Sequence, residues 1–250
     1  MTPELAHGVD LAFAQRVTAS AKEIVSFPVG NPGAATVIGP QPDTLSGMDF
    51  DPDANVLWAI DFTTHQIGTV NQTTGAFTSS ATLQGACCFN SFTIDPVTGL
   101  FYGSKGDGAG MYSIDPLSGA EVFLLNVVAP GWTVAALGID CSGRGVAAAF
   151  DAGGAEQLYQ WHLNGDVTLA GVIGYSNATS LEFDNQNGNL YGWFGTTAAS
   201  FHMTIDPETA QTSQESALEG RFRMAIRNRC TSDRIFSDGF DSPGMNATRA

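Results

Sequence analysis

The chain has 250 residues, 43% hydrophobic and 14% charged, enough for one large domain with a substantial core. Its formal charge of −15 excludes a nucleic-acid backbone or an anionic membrane surface as the expected partner, since both would repel it. No apolar run approaches the roughly 20 residues that a membrane-spanning helix needs, and the 4 cysteines contain no CxxC pair of the kind that binds zinc.

In chain order, the first segments are LAFAQ at Leu11 and EIVSFPVGNPGAATVIG from Glu23 to Gly39. The second is an apolar alternation, a polar turn and more alternation, which reads as a β-hairpin. The first is short and supplies one further strand. From Leu45 onward a longer unit repeats. LSGMDFDPDANVLWAID opens it, and the same phrase returns as NSFTIDPVTGLFYGSK from Asn90, AALGIDCSGRGVAAAF from Ala135 and TSLEFDNQNGNLYGWFG from Thr179. Asp51, Asp95, Asp140 and Asp184 mark its register at a period of about 44 residues, in the range of a four-stranded propeller blade. A second hairpin follows each: IGTVNQTTGAFTSSATL, MYSIDPLSGAEVFLLNVV, LYQWHLNGDVTLAGVI and HMTIDPETAQTSQESAL. Two hairpins make four strands, a to d from the centre outward.

The last segment, RFRMAIRNRC from Arg221, matches strand a alone. An orphan beginning and an orphan ending complete one sheet. The expectation is an all-β, five-bladed β-propeller of four-stranded antiparallel blades, with one blade shared between the N- and C-termini. It spans residues 1–236 as a single domain, followed by a tail at 237–250.

The IDPxTG-type turns of these repeats resemble those of secreted bacterial propellers of the YncE-like and NHL-like group. That resemblance covers nearly the whole chain and implies a fold, not an activity. The stretch CTSDRIFSDGFDSPG, from Cys230 to Gly244, resembles an I-F-x-D-G-F-[ED] signature at the end of proteins exported by Xanthomonas-like and Lysobacter-like bacteria, and so implies a secreted or cell-surface protein. Cys87, Cys88, Cys141 and Cys230 allow three disulfide connectivities, and buried thiols remain an equal alternative.

Chemistry is sparser than architecture. Asp49, Asp51 and Asp53 open like a calcium loop, but Ala54 stands where that loop needs Gly and no Glu closes it. The same slot recurs in every blade, which favours turn chemistry, with Asp bonding backbone amides. No cofactor or metal is expected. There is no GxSxG elbow, and no residue is assigned a catalytic role.

Aligning the strands a puts Arg223 near the channel, between the blades that carry Glu182 and Asp49. An ion pair with both carboxylates is expected there, either to lock the ring or to orient a ligand. The face built by the d-to-a and b-to-c loops collects Trp132, Phe89, Asn90, His65, Lys105, Asp107 and Asp151. An aromatic ring beside hydroxyl and carboxylate groups suits sugar recognition, although a lone Trp is more often a plug between blades. The expected function is a binding module that recognises a carbohydrate or protein partner through this face. Alternatives are an extracellular hydrolase or lyase with a metal in the channel, drawing on Asp49, Glu182 and Asn90, and a structural module of the cell surface.

Overall fold

The computed structural model describes residues 11–85, 88–106, 108–151, 153–227 and 230. Strands β1 (Leu11–Val17), β2 (Lys22–Pro28) and β3 (Thr36–Pro40) come first. Four complete blades follow. They are β4 (Leu45–Phe50) to β7 (Phe77–Thr82), β8 (Phe89–Ile94) to β11 (Glu121–Asn126), β12 (Thr133–Ile139) to β15 (Val167–Val172), and β16 (Ala178–Asp184) to β19 (Thr212–Leu218). The closing strand, β20 (Arg221–Ile226), does not pair with its sequence neighbour. It inserts beside β1, giving a sheet of order β20-β1-β2-β3, with Met224 opposite Ala14 and Arg223 opposite Gln15. Five four-stranded antiparallel sheets result, one of them built from both ends of the chain.

The alternation seen in the sequence is consumed between blades. Each sheet buries both faces against its neighbours, and the buried apolar side chains fall into five clusters, one per interface. Leu45, Met48 and Leu57 of blade one meet Phe13 and Ile24 of the split blade. On the other side of that blade, Ala12, Val25, Phe27, Phe222 and Met224 meet Trp193 of blade four. Period-two alternation therefore feeds two cores, which is why the inner strands lack a polar face. The outermost strands cover nothing on one side, and their ends of the repeat are correspondingly exposed, as at Val122 and Phe123 of β11.

The recurring Asp is turn chemistry throughout. Asp51 Oδ1 accepts from the amides of Asp53 and Ala54, and Asp95 Oδ1 from those of Val97 and Thr98. The Gly of IDPVTG and IDPLSG is required by the backbone: Gly99 and Gly119 sit at φ of 69° and 73°, where a side chain is disfavoured. These a-to-b and c-to-d turns crowd one end of the molecule, the turn face; the d-to-a and b-to-c connections form the opposite loop face.

Cys141, two residues after the end of β12, is disulfide-bonded to Cys230, beyond the end of β20. Cys88 is disulfide-bonded as well, while Cys87 and the tail at 237–250 lie outside the described residues. The Cys141–Cys230 bond ties the closing strand to blade three, and its sequence separation of 89 corresponds to about 4.6 kcal/mol of loop-closure entropy in the unfolded chain.

Two outcomes follow from this closure. Removing residues 221–250 deletes the innermost strand of one blade and exposes β1 as an edge, so the truncated protein should aggregate; a soluble truncation melting cooperatively would refute the closure. Replacing Cys141 and Cys230 by Ser should leave the fold intact but lower stability by about 2–5 kcal/mol, read from urea midpoints.

Candidate functional site

The innermost strands start on the loop face, and in the four complete blades each begins with a β-bulge. The ladder skips Ser46, Asn90, Ala135 and Thr179. A bulged residue leaves its backbone groups out of the ladder. Arg223, from the one inner strand without a bulge, answers two of them: its Nη1 donates to the carbonyls of Asn90 and Thr179, each at 2.9 Å. Asn90 belongs to blade two and Thr179 to blade four, so one guanidinium links three blades across the axis. Burial and the nearby Arg221 lower the Arg223 pKa to about 9, which leaves it charged at neutral pH.

This placement corrects the expected ion pair. Among the described residues Arg223 has no salt bridge, because the side chain lies at the loop-face end of the channel while Asp49 and Glu182 lie near the turn-face end. Asp49 instead bonds its neighbour blade, accepting from Thr93 Oγ1 and the Ile94 amide on Oδ2 and from the Phe50 amide on Oδ1. Glu182 sits in the same end of the channel as Asp49.

The remaining predicted residues separate into two groups. His65, Phe89 and Lys105 converge where blades one and two meet the loop face, but they are spent on one another and on structural partners. Lys105 pairs with Glu121 at 2.6 Å and lies over the rings of Phe89 and Tyr112. His65 Nε2 lies 3.1 Å from Cys88 Sγ. The hollow they enclose, of about 10 Å³, holds no more than a water. Trp132 is half-buried with its ring edge-on to Tyr159 at 6.1 Å, and Asp151 caps its own turn by accepting from the Gly153 amide. Trp132 also packs against the core between blades two and three. Asp107 lies outside the described residues.

An open cleft lies elsewhere on the loop face, between blades three and four, with a volume of about 490 Å³. Its floor is aromatic: the half-buried Tyr175 packs on Phe201 at 5.6 Å and on Phe194 at 6.4 Å. Its rim is polar, formed by Ser176, Asn177 and Thr196, and the buried Glu156 lines it from below. Asn177 adopts a left-handed conformation, with φ of 61°; Asn tolerates this better than most residues, and the loop turns sharply there. Glu156 is 1% exposed, and both its oxygens accept from the Ala178 amide. Burial nevertheless pushes its pKa up to about 7.

The d-to-a loop here was among those expected to face a ligand, but Tyr175, one residue before Ser176, was not singled out. Its signal was available: an aromatic residue in a Gly-Tyr-Ser-Asn loop, where no strand alternation accounts for it. Phe201 could not have been found the same way, because it lies within a strand and reads as core.

No protein-family model matches the chain, and no curated protein does. Solved structures do. A chain of a nidogen/laminin complex superposes with a TM-score of 0.60 at 12% identity, covering 88% of this chain and 99% of that one. A gluconolactonase from Xanthomonas campestris gives 0.54 at 11%, covering 84% and 77%, and TolB from Acinetobacter baumannii gives 0.50 at 13%, covering 88% and 67%. The chain is a β-propeller, and similarity at this level of identity extends to the fold alone.

Glu156 has a measurable consequence. A carboxyl whose folded pKa is raised favours the folded state when protonated, so its contribution is full below about 4.5 and is lost as pH climbs through about 7. Stability should fall between pH 5 and pH 8. Glu156→Gln, which keeps an acceptor for Ala178, should flatten that fall by about 2–3 kcal/mol in urea titrations; an unchanged slope would show that Glu156 titrates normally.

Proposed function

We propose that this propeller is a secreted binding module that recognises a carbohydrate through the cleft between blades three and four. One observation carries the reading: a cleft of about 490 Å³ pairs an aromatic floor, Tyr175 on Phe201, with hydroxyl and amide groups at its rim. A pyranose offers a patch of C–H bonds on one face and hydroxyls around its edge. The first packs on a ring; the second need donors and acceptors in a concave setting. Asn177 and Ser176 supply both kinds. The Tyr175 hydroxyl has no partner among the described residues and adds another.

Secretion is supported by the disulfide chemistry. A Cys141–Cys230 bond and a second bond at Cys88 suit an oxidising compartment, in keeping with the export signature that the tail resembles. The alternative of a hydrolase or lyase with a channel metal draws less support, since the guanidinium of Arg223 occupies the loop-face end of the axis.

Glycan-array binding tests the proposal directly. A restricted set of glycans should bind, and Tyr175→Ala should weaken that binding tenfold or more, about 1.4 kcal/mol, with little change in melting temperature. Trp132→Ala should do the reverse, lowering stability and sparing affinity. A flat response across glycans, or capture of a protein partner that survives Tyr175→Ala, would overturn the assignment.

A further inference from the structure

The loop that carries Tyr175, Ser176 and Asn177 spans residues 173–177, between the end of β15 at Val172 and the start of β16 at Ala178. A surface connection keeps one shape only where its ends are fixed and its backbone groups are answered. Both ends of this loop are fixed by the same residue, Glu156, which opens β14 (Glu156–Trp161). Its main-chain oxygen accepts from the Ile173 amide at 2.9 Å, and its carboxyl oxygens accept from the Ala178 amide at 2.7 and 3.0 Å. A brace comes from blade four, where the Gly195 amide donates to the Asn177 carbonyl at 3.0 Å.

The seam between the split blade and blade one uses the same device with a different acceptor. Leu45, like Ala178, is the first residue of an innermost strand and directly precedes its bulge. The Leu45 amide donates to Gln15 Oε1, from the preceding blade, at 2.9 Å. Gln15 is buried and uncharged. The start of the strand therefore needs an acceptor from the blade before it, and a neutral amide meets that need. At the cleft the acceptor is a carboxyl, which when ionised binds the amide more strongly but costs more to bury. The costlier choice stands where the loop lines an open cleft.

We infer that Glu156 is the positioning residue of the recognition loop. By tying Ile173 and Ala178 to the start of β14 it sets where Tyr175, Ser176 and Asn177 stand over the cleft. Glu156 is itself 1% exposed, so it acts through the loop and not by touching a ligand. A loop held in place before binding has little left to order when the ligand arrives, and affinity gains accordingly. The inference rests on the cleft being the glycan site.

Two variants of the full chain separate the anchor from the charge. Glu156→Leu removes the acceptor, whereas Glu156→Gln keeps one of the kind that suffices at Leu45. On glycans that the wild type binds, Glu156→Leu should weaken affinity about tenfold, the scale set by one lost hydrogen bond. Glu156→Gln should restore most of that affinity, and affinity should follow the acceptor and not the melting temperature. Amide exchange tells the two possible failures apart. Faster exchange over residues 174–178 in Glu156→Leu than in Glu156→Gln supports the anchor even if no glycan binds the wild type, a result that would sink the cleft reading alone. Equal exchange in the two variants overturns the inference, and so does a Glu156→Leu protein that binds like the wild type. Should Glu156→Leu not fold, the wild type decides: the Ala178 amide resonance should move as its acceptor titrates, and one that stays fixed across about pH 4 to 9 overturns the anchor.

Discussion

Everything in this molecule depends on the pairing of β20 with β1. The six register pairs from Ala12–Ile226 to Val17–Arg221 join strands from opposite ends of the chain, and no local propensity brings them together. Until they pair, blades one and four each present a face of apolar side chains to solvent, because Trp193 waits for Phe222 and Leu45 waits for Phe13. The pairing is thus worth more than its backbone hydrogen bonds. It completes two of the five interfaces at once, and that makes the ring cooperative although its units are repeats. The disulfide from Cys230 to Cys141 acts on the same step, since it reduces the freedom of the strand that must arrive last in the chain.

Closing the ring brings five strands edge-on to one axis, where apolar packing gives way to polar stitches. Ser180 both donates to the Met224 carbonyl and accepts from the Met224 amide. Ser91 accepts from the Leu137 amide, and Thr179 donates to the Phe222 carbonyl. Where the approach is tightest only Gly fits: a Cβ on Gly47 would stand 2.7 Å from the Phe92 amide nitrogen. The same convergence accounts for Arg223. Bulges twist the inner strands so that they can meet, the twist frees the carbonyls of Asn90 and Thr179, and a long cation from the unbulged strand reaches both. Positive charge therefore sits at the loop-face end of the axis, while at the turn-face end burial raises the pKa of both carboxyls, that of Asp49 to about 7.

The architecture was legible because its signals are redundant. Four repeats of one phrase, each anchored by an Asp that caps its turn, set blade count and strand order, and the unmatched pieces at Glu23 and Arg221 implied the seam. The site was not legible to the same degree, and the reason is geometric. Alignment of strands a set Arg223 near the channel between the blades that carry Glu182 and Asp49, but such an alignment does not say which way a seven-atom side chain extends. Arg223 turned toward the bulged carbonyls because bulges cannot be read from a repeat in which every copy carries one. His65, Phe89 and Lys105 were correctly placed on the loop face, yet Glu121, the residue that neutralises Lys105 there, lies on an outer strand and carried no sign of its role.

The cleft follows from the same blade geometry and not from any exception to it. Between blades three and four the inner walls are unusually small, with Ala135, Ala136 and Ala148 facing Phe183 and Phe194. At the loop-face end of this interface the five-residue d-to-a loop, residues 173–177, crosses from blade three to blade four. Tyr175 sits on that loop, half in the core and half in the cleft, anchored by Phe194 and Phe201 from behind. A ring fixed on one side and open on the other loses little freedom when a ligand covers it, which is the condition for an aromatic platform to bind with useful affinity. Trp132, its counterpart one blade earlier, instead lies edge-on to Tyr159 and packs against the core between blades two and three.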